Sequence, residues 1–178
     1  TFDVTIMDIG GITFKTIGSD GNAELGGKDW DDRLVNHVAE TFAEKHGDDP
    51  RDDPQPYQEL YERCLAAKLA LSNKPKAVIP VNYKGKREAI TVTRDTFESI
   101  TQDLVDQCEE TANLLLSSTD MTWENIDEVL LVGGSTKMPM IRGMVERIAS
   151  EATFPGVSPD EGVAVGANLA GVLRHQPK

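Results

Sequence analysis

The sequence predicts an α/β chain in which a smaller helical and β-sheet piece is inserted into a core. Three observations predict it. Residues 2–17, FDVTIMDIGGITFKTI, alternate apolar and polar and read as two strands joined at Gly10-Gly11. Residues 129–132, Val-Leu-Leu-Val, are a continuous apolar run without alternation, the pattern of a strand covered on both faces. The block between them, residues 26–94, has helices and a small sheet of its own and separates the first hairpin from the buried strand.

In the opening hairpin Phe2, Val4 and Ile6 share one strand face, and Ile12 and Phe14 share a face of the partner strand. Glycine tolerates the positive φ that tight hairpin turns demand, which assigns the turn to Gly10-Gly11. GSDGNAELGG (18–27) reads as a loop. A helix follows from about Asp29, with Trp30, Leu34, Val38 and Phe42 recurring every fourth residue, and the Gly/Asp/Pro-rich stretch 47–56 ends it. A second helix from about Gln55 to Ser72 carries Tyr57, Leu60, Tyr61, Cys64, Leu65 and Leu71 as its apolar positions. KAVIPVNY (76–83) and REAITVT (87–93) form a second hairpin around Lys84-Gly85-Lys86.

Thr93 has the chemistry of an N-cap, since its hydroxyl can accept from an orphan N–H of a third long helix. Phe97, Ile100, Leu104, Cys108, Ala112 and Leu115 give that helix its apolar stripe. After the 129–132 strand, a helix opens with Pro139 in its first turn and sets Ile141, Met144, Val145 and Ile148 on one face. Ser158-Pro159-Asp160-Glu161 is a capping box with proline at the first helical position, and it announces a last helix. Gly162, Ala164, Gly166, Ala167, Ala170 and Gly171 keep that helix slim, so that another backbone or a ligand can approach it.

Composition narrows the function. The 178 residues suffice for one large domain or two small ones. A formal net charge of −12 opposes general binding of nucleic acid, whose phosphates it repels. No apolar run approaches the roughly 20 residues that cross a bilayer, and no basic-then-apolar leader is visible. Cys64 and Cys108 fall on apolar helix positions with no CxxC or Cys/His cluster, as expected of buried thiols in a reduced cytoplasmic protein without a metal site. The chain starts at Thr1 with a strand already running at Phe2, as expected of a processed chain or a piece of a longer one.

Three places can carry chemistry. A buried strand ending in Gly133-Gly134 before a helix permits a tight turn and leaves main chain bare for a ligand. The N–H groups of the helix near Pro139 face the same region. A glycine turn with no ligand fits the same letters, and no GK[ST] follows at the spacing of a Walker loop. Lys68 and Ser72, four apart on one helix face and bracketed by Leu65 and Leu69, can grip a sugar and an aromatic base. A lysine snorkelling over the core edge beside a C-terminal serine explains them as well, and taken alone is the stronger reading. Thr1 and Asp3 share a strand face and by themselves point to nothing.

Together, TFDVTI (1–6), LGGKDWDDRLVNH (25–37), AAKLALS (66–72), TRDTFESI (93–100), VLLVGGSTKMPMI (129–141) and SPDEGVAVGA (158–167) resemble, in order, the ATPase domain of the DnaK-like, seventy-kilodalton heat-shock chaperones. The resemblance covers essentially the whole chain and corresponds to the second lobe of an actin-like (ribonuclease H-like) domain. It implies a core piece of residues 1–25 and 95–178 and an outer piece of 26–94. It implies that Gly133, Gly134 and Ser135 contact ATP or ADP, with Lys137 beside the base and Asp160 at the nucleotide edge. Lys68 and Ser72 would reach the ribose and adenine, with Gly27 near the base. Thr1 would stand by the γ-phosphate and Asp3 near Mg2+ and its waters.

The family's first lobe, with its own phosphate loop and catalytic lysine, and its peptide-binding domain have no counterpart in these residues. They are the implied partners, together with a nucleotide-exchange factor or co-chaperone. The whole protein is accordingly expected to hydrolyse ATP, and this chain alone to be inactive. Three positions depart from the family. Leu65 stands where it usually has a glutamate for the ribose, and Lys137 and Leu69 stand where arginine occurs. Two other readings are an actin-like sugar kinase, whose sugar pocket would lie largely in the other lobe, and a non-catalytic interaction module built on residues 26–94.

Overall fold

The computed structural model describes residues 1–153, and the chain forms two compact units, residues 1–112 and 113–178. Residues 26–94 all belong to the first unit.

The first unit opens with strands β1 (Phe2–Gly10) and β2 (Thr13–Asn22) in an antiparallel hairpin. Gly10 pairs with Thr13, so the two-residue turn is Gly11-Ile12, one residue later than the glycine pair indicates. Gly11 alone supplies the positive φ, at 64°. Phe2, Val4 and Ile6 do lie on the better covered face. Ile6 pairs with Gly18 and Met7 with Thr16, leaving Ile17 unmatched. Past this bulge Met7, Ile9, Ile12 and Phe14 are exposed. β2 runs on to Asn22, so part of the stretch expected to be loop is strand. Backbone pairing there does not need apolar side chains, but it does need Gly21, where a Cβ would stand 2.6 Å from Phe2 O.

Helix α1 (Gly27–His46) buries Trp30, Leu34, Val35, Val38 and Phe42. A 3₁₀ turn at Pro50–Asp52 leads to α2 (Pro54–Leu71), which buries Leu60, Cys64, Ala67 and Leu71. Strands β3 (Lys76–Tyr83) and β4 (Lys86–Thr93) follow as a hairpin. Its turn is Lys84-Gly85, with φ of 46° and 75°, the doubly left-handed turn that matches strand twist. β3 packs on α2 and β4 on α1, with Ile79, Val81, Ile90 and Val92 buried.

Thr93 caps the next helix as its chemistry predicts, its hydroxyl accepting from the Thr96 N–H at 3.1 Å. The single long helix expected here is two, α3 (Arg94–Ile100) and α4 (Gln102–Ser118). The break is Thr101, at φ −125° and fully buried, whose hydroxyl donates back to Phe97 O at 2.8 Å. Such bonding to the preceding turn competes with the helix ladder. The apolar stripe survives the break, with Phe97, Leu104, Cys108 and Ala112 buried.

In the second unit the indole N–H of Trp123 donates to Asn113 Oδ1 at 2.8 Å. A 3₁₀ turn at Gly134–Lys137 precedes α5 (Pro139–Ile148), which starts on its proline and buries Ile141, Met144 and Val145. The run 129–132 is not the buried strand its composition predicts. Glu128 makes a lone parallel bridge with Thr153, Val129 N–H donates to Thr153 O at 2.9 Å, and Leu130 and Val132 are 52% and 43% exposed. A strand of this type needs ladder partners on both edges and a layer on each face. Among the described residues the end of this run is backbone-bonded only to the Thr153 segment. The helix expected after Ser158 lies outside the described residues.

Candidate functional site

In the first unit the chemistry gathers at the start of α1. Asp29 Oδ2 accepts from the Gly26 N–H at 2.7 Å and closes that end. The backbone N of Thr1 lies against Gly26, 3.0 Å from where a Cβ would stand, and the Thr1 hydroxyl donates to Asp3 Oδ2 at 2.8 Å. Lys68 reaches across from α2. Its Nζ donates to Gly27 O at 2.8 Å and stands 2.8 Å from Asp31 Oδ1. Four residues singled out in the sequence, Thr1, Asp3, Gly27 and Lys68, therefore meet or neighbour one helix end. Ser72 follows Lys68 by one turn and ends α2, partly exposed.

Sequence reasoning missed Asp31. It is 4% exposed, and burial pushes its carboxyl above the ordinary 3.8, with the Lys68 hydrogen bond and charge pulling part of the way back. Its signal was present, because Asp31, Val35, Val38 and Phe42 recur at helical spacing. A carboxylate on a buried stripe requires a counter-ion. The partner corrects the picture of Lys68 as a lysine snorkelling at the core edge: its ammonium clamps α2 to α1. Leu65, expected on the apolar side of α2, is 39% exposed, and Leu69 beside it is 63% exposed.

In the second unit Gly133 adopts φ 94°, ψ 153°, a conformation that strains any side-chain-bearing residue, and it opens the Gly134–Lys137 turn. The Thr136 hydroxyl donates to Gly133 O at 2.7 Å and holds the turn. A Cβ at Gly133 or at Gly134 would find no heavy atom within 4 Å. The main chain is bare and open to approach there, with Ser135 and Lys137 in the same turn and the first N–H groups of α5 just beyond. Asp160 lies outside the described residues.

The thiols are not candidates for reactivity. Burial pushes Cys64 up to about 12 and Cys108 up to about 11, so neither is a thiolate near neutrality. Among the described residues no three His, Cys, Asp or Glu side chains group to hold a metal ion, and no helix is long and apolar enough to cross a membrane.

Compared with known proteins, residues 1–177 match the family model described as Hsp70 protein. The chain belongs to the Hsp70 family. It is 37% identical over 179 aligned positions to the chaperone protein DnaK of Thermosipho africanus, covering 97% of this chain and 30% of that protein. The DnaK of Thermosipho melanesiensis gives the same figures, and that of Halobacterium salinarum is 37% identical over 96% of this chain and 28% of its own length. This Hsp70-family chain thus spans about 30% of the length of the curated relatives it matches.

Proposed function

We propose that this chain is the second lobe of the actin-like (ribonuclease H-like) ATPase domain of a cytoplasmic DnaK-type chaperone, and that it binds the adenosine part of ATP or ADP. Residues 1–25 and 95–178 are the core of that lobe and 26–94 the outer piece inserted in it. The observation that carries the reading is the Gly133-Gly134 turn, whose bare backbone is open where any side chain would stand. Backbone N–H groups at such a turn, followed by a helix start, suit a phosphorylated ligand. Ser135 belongs to the same contact, with Lys137 beside the base and Asp160 at the nucleotide edge.

On the first unit, Gly27, Lys68 and Ser72 serve the base and ribose side. Thr1 serves the γ-phosphate side. Mg2+ is usually held by one or two carboxylates plus phosphates and waters. Asp3, an exposed carboxylate that already accepts one hydroxyl, fits as one such contact. Mg2+ there would neutralise phosphate charge. In the whole protein, ATP hydrolysis between two lobes drives a conformational change passed to a peptide-binding domain, with an exchange factor or co-chaperone as further partner.

The test is titration of the full-length protein with a fluorescent ADP analogue. Gly134→Leu adds a side chain into open space without the positive-φ strain of position 133, so the fold is kept. Binding is expected to weaken about tenfold or more, the equivalent of about 1.4 kcal/mol. A variant that binds as tightly as the natural chain would remove the turn from the site.

A further inference from the structure

We infer that Asp20-Gly21 is a site of self-modification, where the chain converts without an enzyme to an isoaspartyl linkage that opens the β1–β2 pairing beside Asp3. Such a conversion needs a short side-chain carboxyl and an unobstructed amide nitrogen in the next residue. Glycine obstructs that nitrogen least, since it has no Cβ. Among the 178 residues this is the one place where Asp or Asn precedes Gly. Asp3 and Asp8, on β1, precede Val4 and Ile9, whose branched side chains crowd the nitrogen.

Both residues are exposed near the end of β2, so water reaches them. The Gly21 N–H donates to Asp20 Oδ1 at 2.8 Å, which holds the nitrogen against the carboxyl group that it attacks. A bond forms between Gly21 N and Asp20 Cγ. The Cγ–O bond of the acid form breaks, and its hydroxyl leaves with the amide proton as water. Water then reopens the ring. Attack at Cγ restores Asp20. Attack at the main-chain carbonyl carbon of Asp20 leaves the chain running through Cγ, one methylene longer, with the former main-chain carbonyl as a free carboxylate. The strand pair has no room for that insertion. Gly21 pairs with Asp3, and even a Cβ on Gly21 would stand 2.6 Å from Phe2 O and 3.0 Å from Asp3 Oδ1.

The same crowding makes Gly21→Ala a poor probe, because it would disturb the fold. Asp20→Glu keeps the charge but must close a larger ring from a longer side chain. The test holds full-length protein, natural and Asp20→Glu, for weeks at neutral pH and body temperature. Isoaspartyl-specific methyl transfer and mapping of the tryptic peptide 16–28 then read the outcome. The natural peptide is expected to split into two forms of equal mass, of which only the isoaspartyl form takes the methyl group. Asp20→Glu is expected to lower that methylation about tenfold or more. In the converted fraction the amides of residues 2–4 are expected to exchange hydrogen faster than in fresh protein. A natural peptide that stays single, a variant that is methylated equally, or unchanged exchange at residues 2–4 overturns the inference. None of these readouts depends on nucleotide binding.

Discussion

Lys68 shows how much one buried partner changes a residue's role. Beside Asp31 it is half of a nearly buried ion pair, and breaking such a pair from one side leaves an uncompensated charge. Lys68→Met is expected to cost about 3 kcal/mol at pH 7 in urea unfolding. Acid shrinks that cost. The native carboxyl of Asp31 lies above its unfolded 3.8 because burial disfavours the charged form, so the folded state takes up the proton first. As pH falls through the native value, the buried charge is discharged and this group gains stability for the fold. Above that value the group disfavours folding, and in Lys68→Met it does so without its counter-ion. The gap between natural and variant chain should therefore narrow between pH 7 and pH 4. A gap that stays constant would mean that Asp31 is not the group left behind.

At the scale of elements, the cap and the break before and after α3 are both threonine chemistry. Thr93 is exposed and terminal, so its hydroxyl serves an orphan N–H; Thr93→Ala should cost about 1 kcal/mol, read as a lowered unfolding midpoint. Thr101 is buried and internal, so its hydroxyl serves a carbonyl of the previous turn and the helix parts there. The first was legible in the sequence because capping is decided within three residues. The second was not, because the apolar stripe runs through the break unaltered. The stretch 129–132 makes the opposite point. Its apolar letters specify a strand covered on both faces, yet a strand exists only when other segments pair with it, and among the described residues only the Thr153 segment bonds to it.

At the scale of the whole molecule, the 37% identity that runs over nearly all of this chain stops at about 30% of each DnaK relative. Phosphoryl transfer depends on positioning and on charge stabilisation from groups around the transferred phosphate. On the two-lobed reading, the phosphate loop and the catalytic lysine belong to residues outside these 178. The isolated chain is therefore expected to bind ADP weakly and to turn over ATP negligibly, measured as phosphate release beside the full-length protein. Turnover at the full-length rate would place the whole catalytic apparatus within this chain.

The extents of α1, α2, β3 and β4 and the start of α5 could be read from the letters, because apolar periodicity, proline at a helix start and glycine at a turn act through neighbours a few residues away. The Gly133-Gly134 turn was legible for the same reason, since a missing Cβ is a local fact. The fate of Lys68 was decided elsewhere. Its ammonium is held by Gly27 and Asp31 on another helix, about forty positions earlier in the chain. A charge is placed by whichever opposite charge the packing buries beside it, and that is settled only when two helices meet.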